Sequence, residues 1–204
     1  MLLLLFSACS PLMTTMPPVP PMSGAELELS AGAHLAAKLG YLGYVEPAGF
    51  IADTVDPGVD VALAWHLPGD PRFTIGGVGV GSTTQLGAGG AFFRFLHQPS
   101  PRLALSAQVD GGWLWAGASG GIAYRAWEGG WIYTAPGLRL YSPTPGLRLP
   151  VGVNIDLSER ARLNVEGGWH LGYASAYSDL SAIGSDPDDV QQIFVLGGRG
   201  IWAF

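Results

Sequence analysis

Charge is scarce in this sequence. Asp, Glu, Lys and Arg together make up 13% of its 204 residues, about half of what a soluble domain usually carries. Lysine is reduced to Lys38, and the other basic residues are arginines. Cysteine is reduced to Cys9, which excludes a disulfide within the chain. Long apolar runs are missing too: no stretch approaches the roughly 20 residues of a membrane-spanning helix, although 48% of the residues are hydrophobic. The net charge of −6, with no basic patch, excludes the electrostatics of a nucleic-acid binder. A chain so apolar and so poor in charge keeps much of its surface away from water. Lipid offers no hydrogen bonds to backbone, so only helices and closed barrels cross it. With helices excluded, the barrel remains, and 31 Gly and 16 Pro suit strands and turns better than helices.

The first 24 residues read differently from the rest. Leu2 to Phe6 form a short apolar run followed by Ser7-Ala8-Cys9. This resembles the end of a signal peptide with a lipobox, the motif of the bacterial lipoprotein pathway, with Phe6 departing from the usual Leu. The resemblance implies lipidation at Cys9; an ordinary signal peptide with an incidental cysteine is the alternative. No Lys or Arg precedes the run, and it is shorter than the ~7–15 apolar residues of a signal core, so the true start is expected upstream or misassigned. Residues 10–24, SPLMTTMPPVPPMSG, are proline-rich, which favours extended, semi-rigid chain. They are expected to form a linker that tethers a lipidated Cys9 to a domain spanning residues 25–204.

From Ala25 onward the pattern has period two, the mark of strands whose successive side chains face opposite sides. In RLALSAQVDGGWLW (102–115), Leu103, Leu105, Ala107, Val109, Gly111, Trp113 and Trp115 share one face. GLRLPVGVNIDL (146–157) puts Leu147, Leu149, Val151, Val153, Ile155 and Leu157 on one side and Arg148, Asn154 and Asp156 on the other. ARLNVEGGWHL (161–171), GVDVALAWHL (58–67), RFTIGGVGV (72–80), GAFFRFLH (90–97) and ELELSAGAHLAA (26–37) behave alike. Short turns at Pro68–Pro71, Gln98–Pro101 and Ser158–Arg160 alternate with longer connections at 38–57 and 174–189. Between 116 and 145, a hairpin of 120–127 and 131–141 gives ten strands, whereas one long loop would give eight. A structureless loop of about thirty residues is the rarer arrangement, so ten is the preferred count.

The chain ends in QQIFVLGGRGIWAF, with Phe204 terminal and Trp202, Gly200, Gly198, Leu196 and Phe194 on its face. This resembles the C-terminal signature of bacterial outer-membrane β-barrels, in which a last strand ending in an aromatic residue is read by the barrel-assembly machinery. The resemblance covers residues 25–204 as architecture and identifies no functional family. It implies an all-β, up-and-down antiparallel transmembrane barrel in the outer membrane of a Gram-negative cell, with outer-membrane lipid and the assembly machinery (through Trp202 and Phe204) as partners.

In these registers Arg72, Arg94, Arg102, Arg125, Arg139, Arg148, Arg162 and Arg199 fall on the lumen-facing parity, with Asp60, Asp110, Asp156 and Glu166. Trp65, Phe93, Phe95, Trp113, Trp115, Trp169 and Trp202 fall on the lipid-facing one, as interfacial aromatics do. A cationic side chain on the lipid face costs about 2–4 kcal/mol at the midplane, so this partition is what a stable barrel needs. An interior with both signs, in a barrel hardly wider than the eight-stranded kind that side chains just fill, points to a plugged lumen and a structural or loop-mediated binding role. A narrow, anion-leaning channel and a lipid-tethered soluble sandwich or lipocalin-like carrier are the alternatives. No enzyme is expected, and no cofactor or metal: His34, His66, His97 and His170 form no HExxH or other close ligand pair, and His170 with Glu166 reads as lumen filling. GGVGVGS (76–82) lies in a strand with no helix to hold an anion. The acidic segment 185–189 lacks the spacing of a calcium loop.

Overall fold

The computed structural model describes residues 14–41, 44–45, 55–82, 88–112, 115–141, 144–173 and 190–204. Twelve strands follow in order: β1 (Leu27–Tyr41), β2 (Tyr44–Val45), β3 (Val55–His66), β4 (Phe73–Ser82), β5 (Ala88–Ser100), β6 (Leu103–Gly112), β7 (Trp115–Trp127), β8 (Gly130–Thr134), β9 (Gly137–Tyr141), β10 (Thr144–Ser158), β11 (Ala161–Tyr173) and β12 (Val190–Ala203). All pairings are antiparallel, and β1 pairs with β12, which closes the sheet on itself. β2 only extends the end of β1. β8 and β9 are two halves of one stave, since both pair with β7 and β10 in a single continuous register. The barrel therefore has ten staves, and the 116–145 stretch is the hairpin rather than the loop.

The lapse between β8 and β9 has a local cause. Pro136, and Pro150 on β10 opposite Ala135, each remove a donor from the same stretch of ladder. Partial repair comes from the Gly120 N–H donating to the Pro136 carbonyl at 3.0 Å and from the Thr134 hydroxyl donating to the Pro150 carbonyl at 2.7 Å.

The turns after β3, β5, β7 and β10 lie at one end, beside the paired termini of the barrel, where the Phe204 N–H donates to the Leu27 carbonyl. Two of these turns use glycines with positive φ, Gly69 (92°) and Gly129 (74°). Connections at the other end are not uniformly long: only two residues, 113–114, separate β6 from β7, and 142–143 separate β9 from β10.

Burial alternates along the staves, but with the oily face outward. β3 alternates without a break over its twelve residues. Val61, Val109, Val151 and Trp169 are 47%, 54%, 58% and 49% exposed, whereas Arg94, Arg148, Asn154 and His170 are buried. On the outside Phe73 lies 5.2 Å from Phe95 and 5.9 Å from Phe93, ring centre to ring centre. A closed sheet that shows hydrocarbon outward and guanidinium inward suits lipid and opposes a soluble carrier, which needs the reverse. The lipocalin-like alternative is thus overturned.

The lumen as the candidate functional site

Inside the barrel the polar side chains of neighbouring staves meet in pairs. Asp60 of β3 lies 3.4 Å from Arg199 of β12 and 3.7 Å from His34 of β1. Glu28 of β1 lies 3.3 Å from the Nε2 of His66, whose Nδ1 is 3.0 Å from the Thr74 hydroxyl. Arg139 of β9 donates to Asp110 of β6 at 2.9 Å, and its guanidinium stands 4.8 Å from the centre of the Trp115 ring. The Tyr133 hydroxyl donates to Glu166 at 2.6 Å and accepts from Asn164 at 2.8 Å. Arg162 pairs with Asp156 near the turn end. Such groups are tolerated in a closed interior because each charge meets a partner; an unpaired one would carry several kcal/mol of desolvation cost.

The lumen also holds part of the chain. Residues 14–22, expected to be a linker outside the domain, run inside the barrel. Met22 packs with Ile201 and Ala203 at the turn end. Val19 sits among Leu96, Ala104, Ala123, Trp131 and Tyr133. Met16 lies higher, with Ala36, Phe92, Trp115 and Ile193. The chain thus climbs from the turn end towards the other mouth. The composition that suggested a linker is also the reason this segment fits. Prolines carry no N–H, so a run such as Pro17-Pro18-Val19-Pro20-Pro21 presents mostly carbonyl acceptors, and arginine is all donor. Arg94 donates to the carbonyls of Pro17 (2.7 Å) and Val19 (3.4 Å), Arg162 to that of Pro20 (2.9 Å) and Arg199 to that of Thr15 (3.1 Å). Where the segment does have donors, carboxylates meet them: the Thr14 N–H reaches Glu166 at 2.6 Å, the Met22 N–H reaches Glu28 at 2.9 Å and the Thr15 hydroxyl reaches Asp110 at 3.2 Å.

The expected lumen residues divide into three groups. Asp60, Arg94, Asp110, Arg139, Arg148, Arg162, Glu166 and Arg199 are buried inside. Arg125 and Asp156 point inward but lie near the rim and are partly exposed. Arg72 and Arg102 are corrections: both sit in turns and are exposed, because the strands begin one residue later, at Phe73 and Leu103. Arg72 there clasps Asp70 at 2.7 Å, and its hydrogen bonds hold the Asp70 carboxyl below its usual range. On the outside, Trp65, Phe93, Trp169 and Trp202 are exposed, as is Phe204, and Phe95 is half covered. Trp115 is a second correction. β6 ends at Gly112 and β7 begins a new alternation at Trp115, which points inward and is 6% exposed. Trp113 and Cys9 lie outside the described residues. Glu28, His34 and Tyr133 also face inward and are buried. Their even and odd positions on β1 and β8 carried that signal, but Ala, Ser and Gly neighbours weakened it. Among the described residues no group of three or more His, Cys, Asp or Glu is placed to hold a metal ion.

A closed antiparallel barrel with an apolar exterior and a polar interior defines the class: a membrane-spanning β-barrel. No protein-family model matches the chain, and neither does any curated protein. Among solved structures it is similar to the KdgM porin in complex with disordered oligogalacturonate, 13% identical over 86% of this chain and 99% of that one, with a TM-score of 0.48. Neisserial surface protein A is 12% identical over 88% and 98%, TM-score 0.39, and Ail of Yersinia pestis is 11% identical over 87% and 99%, TM-score 0.34. Likenesses this distant bring no ligand or partner with them.

Proposed function

We propose that this protein is an integral outer-membrane β-barrel whose lumen is closed by its own N-terminal segment and whose role is structural or carried by its loops. The observation that supports this most directly is the match between the acceptor-rich backbone of residues 14–22 and the donors of Arg94, Arg162 and Arg199. A water-filled path would leave those guanidiniums to solvent. The wall also carries buried charges of both signs, with Glu28, Asp60, Asp110 and Glu166 facing Arg94, Arg139, Arg162 and Arg199. That distribution gives no lean towards anions and counts against a selective channel. Trp202 and Phe204, exposed at the end of the last stave, are proposed as the residues presented to the barrel-assembly machinery.

Two measurements test this reading. Carbonate extraction of membranes is expected to leave the full chain in the pellet. The purified protein in planar bilayers is expected to be silent. Steady ohmic conductance from the wild type overturns the closed lumen, and release by carbonate overturns the membrane barrel.

A further inference from the structure

We infer that a notch at the turn end of β6 and β7 binds the phosphoethanolamine headgroup of a membrane lipid. The inference rests on the barrel being embedded in a membrane. The notch, of about 320 Å³, is lined by Pro101, Arg102, Arg125, Ala126, Trp127 and Glu128. Its two arginines stand directly opposite each other: the register that pairs Leu103 with Tyr124 continues to this position, and the Arg125 N–H donates to the Arg102 carbonyl at 2.9 Å. Like charges directly opposite in a ladder destabilise it. Arg139 is matched by Asp110 and Arg72 by Asp70. Arg102 and Arg125 make no ion pair with any described residue. Two adjacent guanidiniums without a protein counter-ion form a fork for a phosphate, which arginine recognises through paired N–H donors.

The third corner narrows the ligand. Glu128 opens the β7–β8 turn beside the two arginines, and Asp156, whose N–H donates to the Gly129 carbonyl of that turn, is already taken by Arg162. A site with two cations and one carboxylate is complementary to a phosphate followed by an ammonium. A primary ammonium can donate to Glu128, whereas a quaternary one has no hydrogen to donate. The notch straddles the rim: the register puts Arg102 and Arg125 on the lumen parity, while Trp127, which also lines the notch, is exposed. Tyr124 and Trp127 are 51% and 45% exposed there, and rings of this kind mark the boundary between hydrocarbon and water. The notch opens at the end that carries the barrel's termini.

Native mass spectrometry of the full chain in mild detergent, with phosphatidylethanolamine, phosphatidylglycerol or phosphatidylcholine added in turn, tests this. The wild type is expected to retain one phosphatidylethanolamine in preference to the other two. Replacing both arginines, Arg102→Gln with Arg125→Gln, weakens retention by roughly tenfold or more, the effect of losing a charge-assisted fork. Glu128→Gln removes the preference for phosphatidylethanolamine over phosphatidylglycerol while phosphate binding persists. Glycerophosphoethanolamine competes, whereas inorganic phosphate at the same concentration does not. Heat-modifiable migration on gels confirms that each variant is folded. Equal retention of all three lipids by the wild type, unchanged retention by the double arginine variant, or equal competition by inorganic phosphate overturns the inference. A protein that stays in carbonate-washed membranes but shows no lipid preference refutes this site alone; a protein that leaves them refutes the membrane reading first.

Discussion

Gly121 and Gly120 are neighbours on β7 that face opposite ways, and together they make a matched test of the closed lumen. A Cβ on Gly121 would point inward and lie 2.5 Å from the Cβ of Pro18, 2.5 Å from the Ser106 hydroxyl oxygen and 3.0 Å from the Cγ of Pro18. The serine can rotate away, but the proline ring cannot, so Gly121→Ala forces the inner segment off its position. A Cβ on Gly120 points towards lipid and meets nothing closer than 4.0 Å. Both substitutions reduce the freedom of the unfolded chain alike, by about 0.4–1 kcal/mol, so that contribution cancels in the comparison. Overpacking of this kind costs about 1–3 kcal/mol, and the strain falls on the contact between segment and wall. Such a cost raises the population of the displaced segment about 5–150-fold. In planar bilayers Gly121→Ala is therefore expected to show openings against a silent wild type, and Gly120→Ala to stay silent. Equal silence of the two variants, with both barrels shown to be folded, would mean that residues 14–22 do not seal the lumen.

Tyr133→Phe deletes the hydroxyl that joins Glu166 to Asn164 and leaves both without that partner. The expected loss is about 1–3 kcal/mol, read from denaturant unfolding in lipid vesicles. Val151→Arg puts a cation on the lipid face of β10, where the valine is 58% exposed, and is expected to destabilise by about 2–4 kcal/mol in the same assay if the site is near the midplane. A harmless Val151→Arg would speak against lipid on that face. Asp70 and Arg72 form an exposed pair outside the staves. Because the Asp70 carboxyl is held below its ordinary value, any stability from the pair is present at neutral pH and disappears as the pH falls through that lowered value. Exposed pairs contribute little, so Asp70→Asn is expected to leave the unfolding midpoint at pH 7 unchanged.

Most of the barrel could be read from alternation alone, because the two faces meet opposite solvents and the side-chain period is two. Arg94, Arg139, Arg148, Arg162 and Arg199 were each assigned inward by parity, and each is buried there. Alternation fails where its phase is reset or where it runs out. Trp115 was misplaced because the alternation runs on unbroken in sequence past Gly112, where β6 ends, into Trp115, where β7 begins. Arg72 and Arg102 were misplaced because parity says nothing about where a strand begins. The inner segment was invisible for another reason. Its affinity for the lumen depends on carbonyls meeting guanidiniums that are 75 or more residues away in sequence, and no local pattern records such a match. Proline-rich composition, taken by itself, describes a stiff chain and leaves its location open.

The ladder from Glu28 and Ala203 to Tyr41 and Gln191 is the seam of the cylinder, and the inner segment is continuous with the first strand of that seam. The segment's bonds reach Arg94 of β5 on the β1 side of that seam and Arg199 of β12 on the other. The segment therefore acts as an inner strut that ties together the two edges the seam joins.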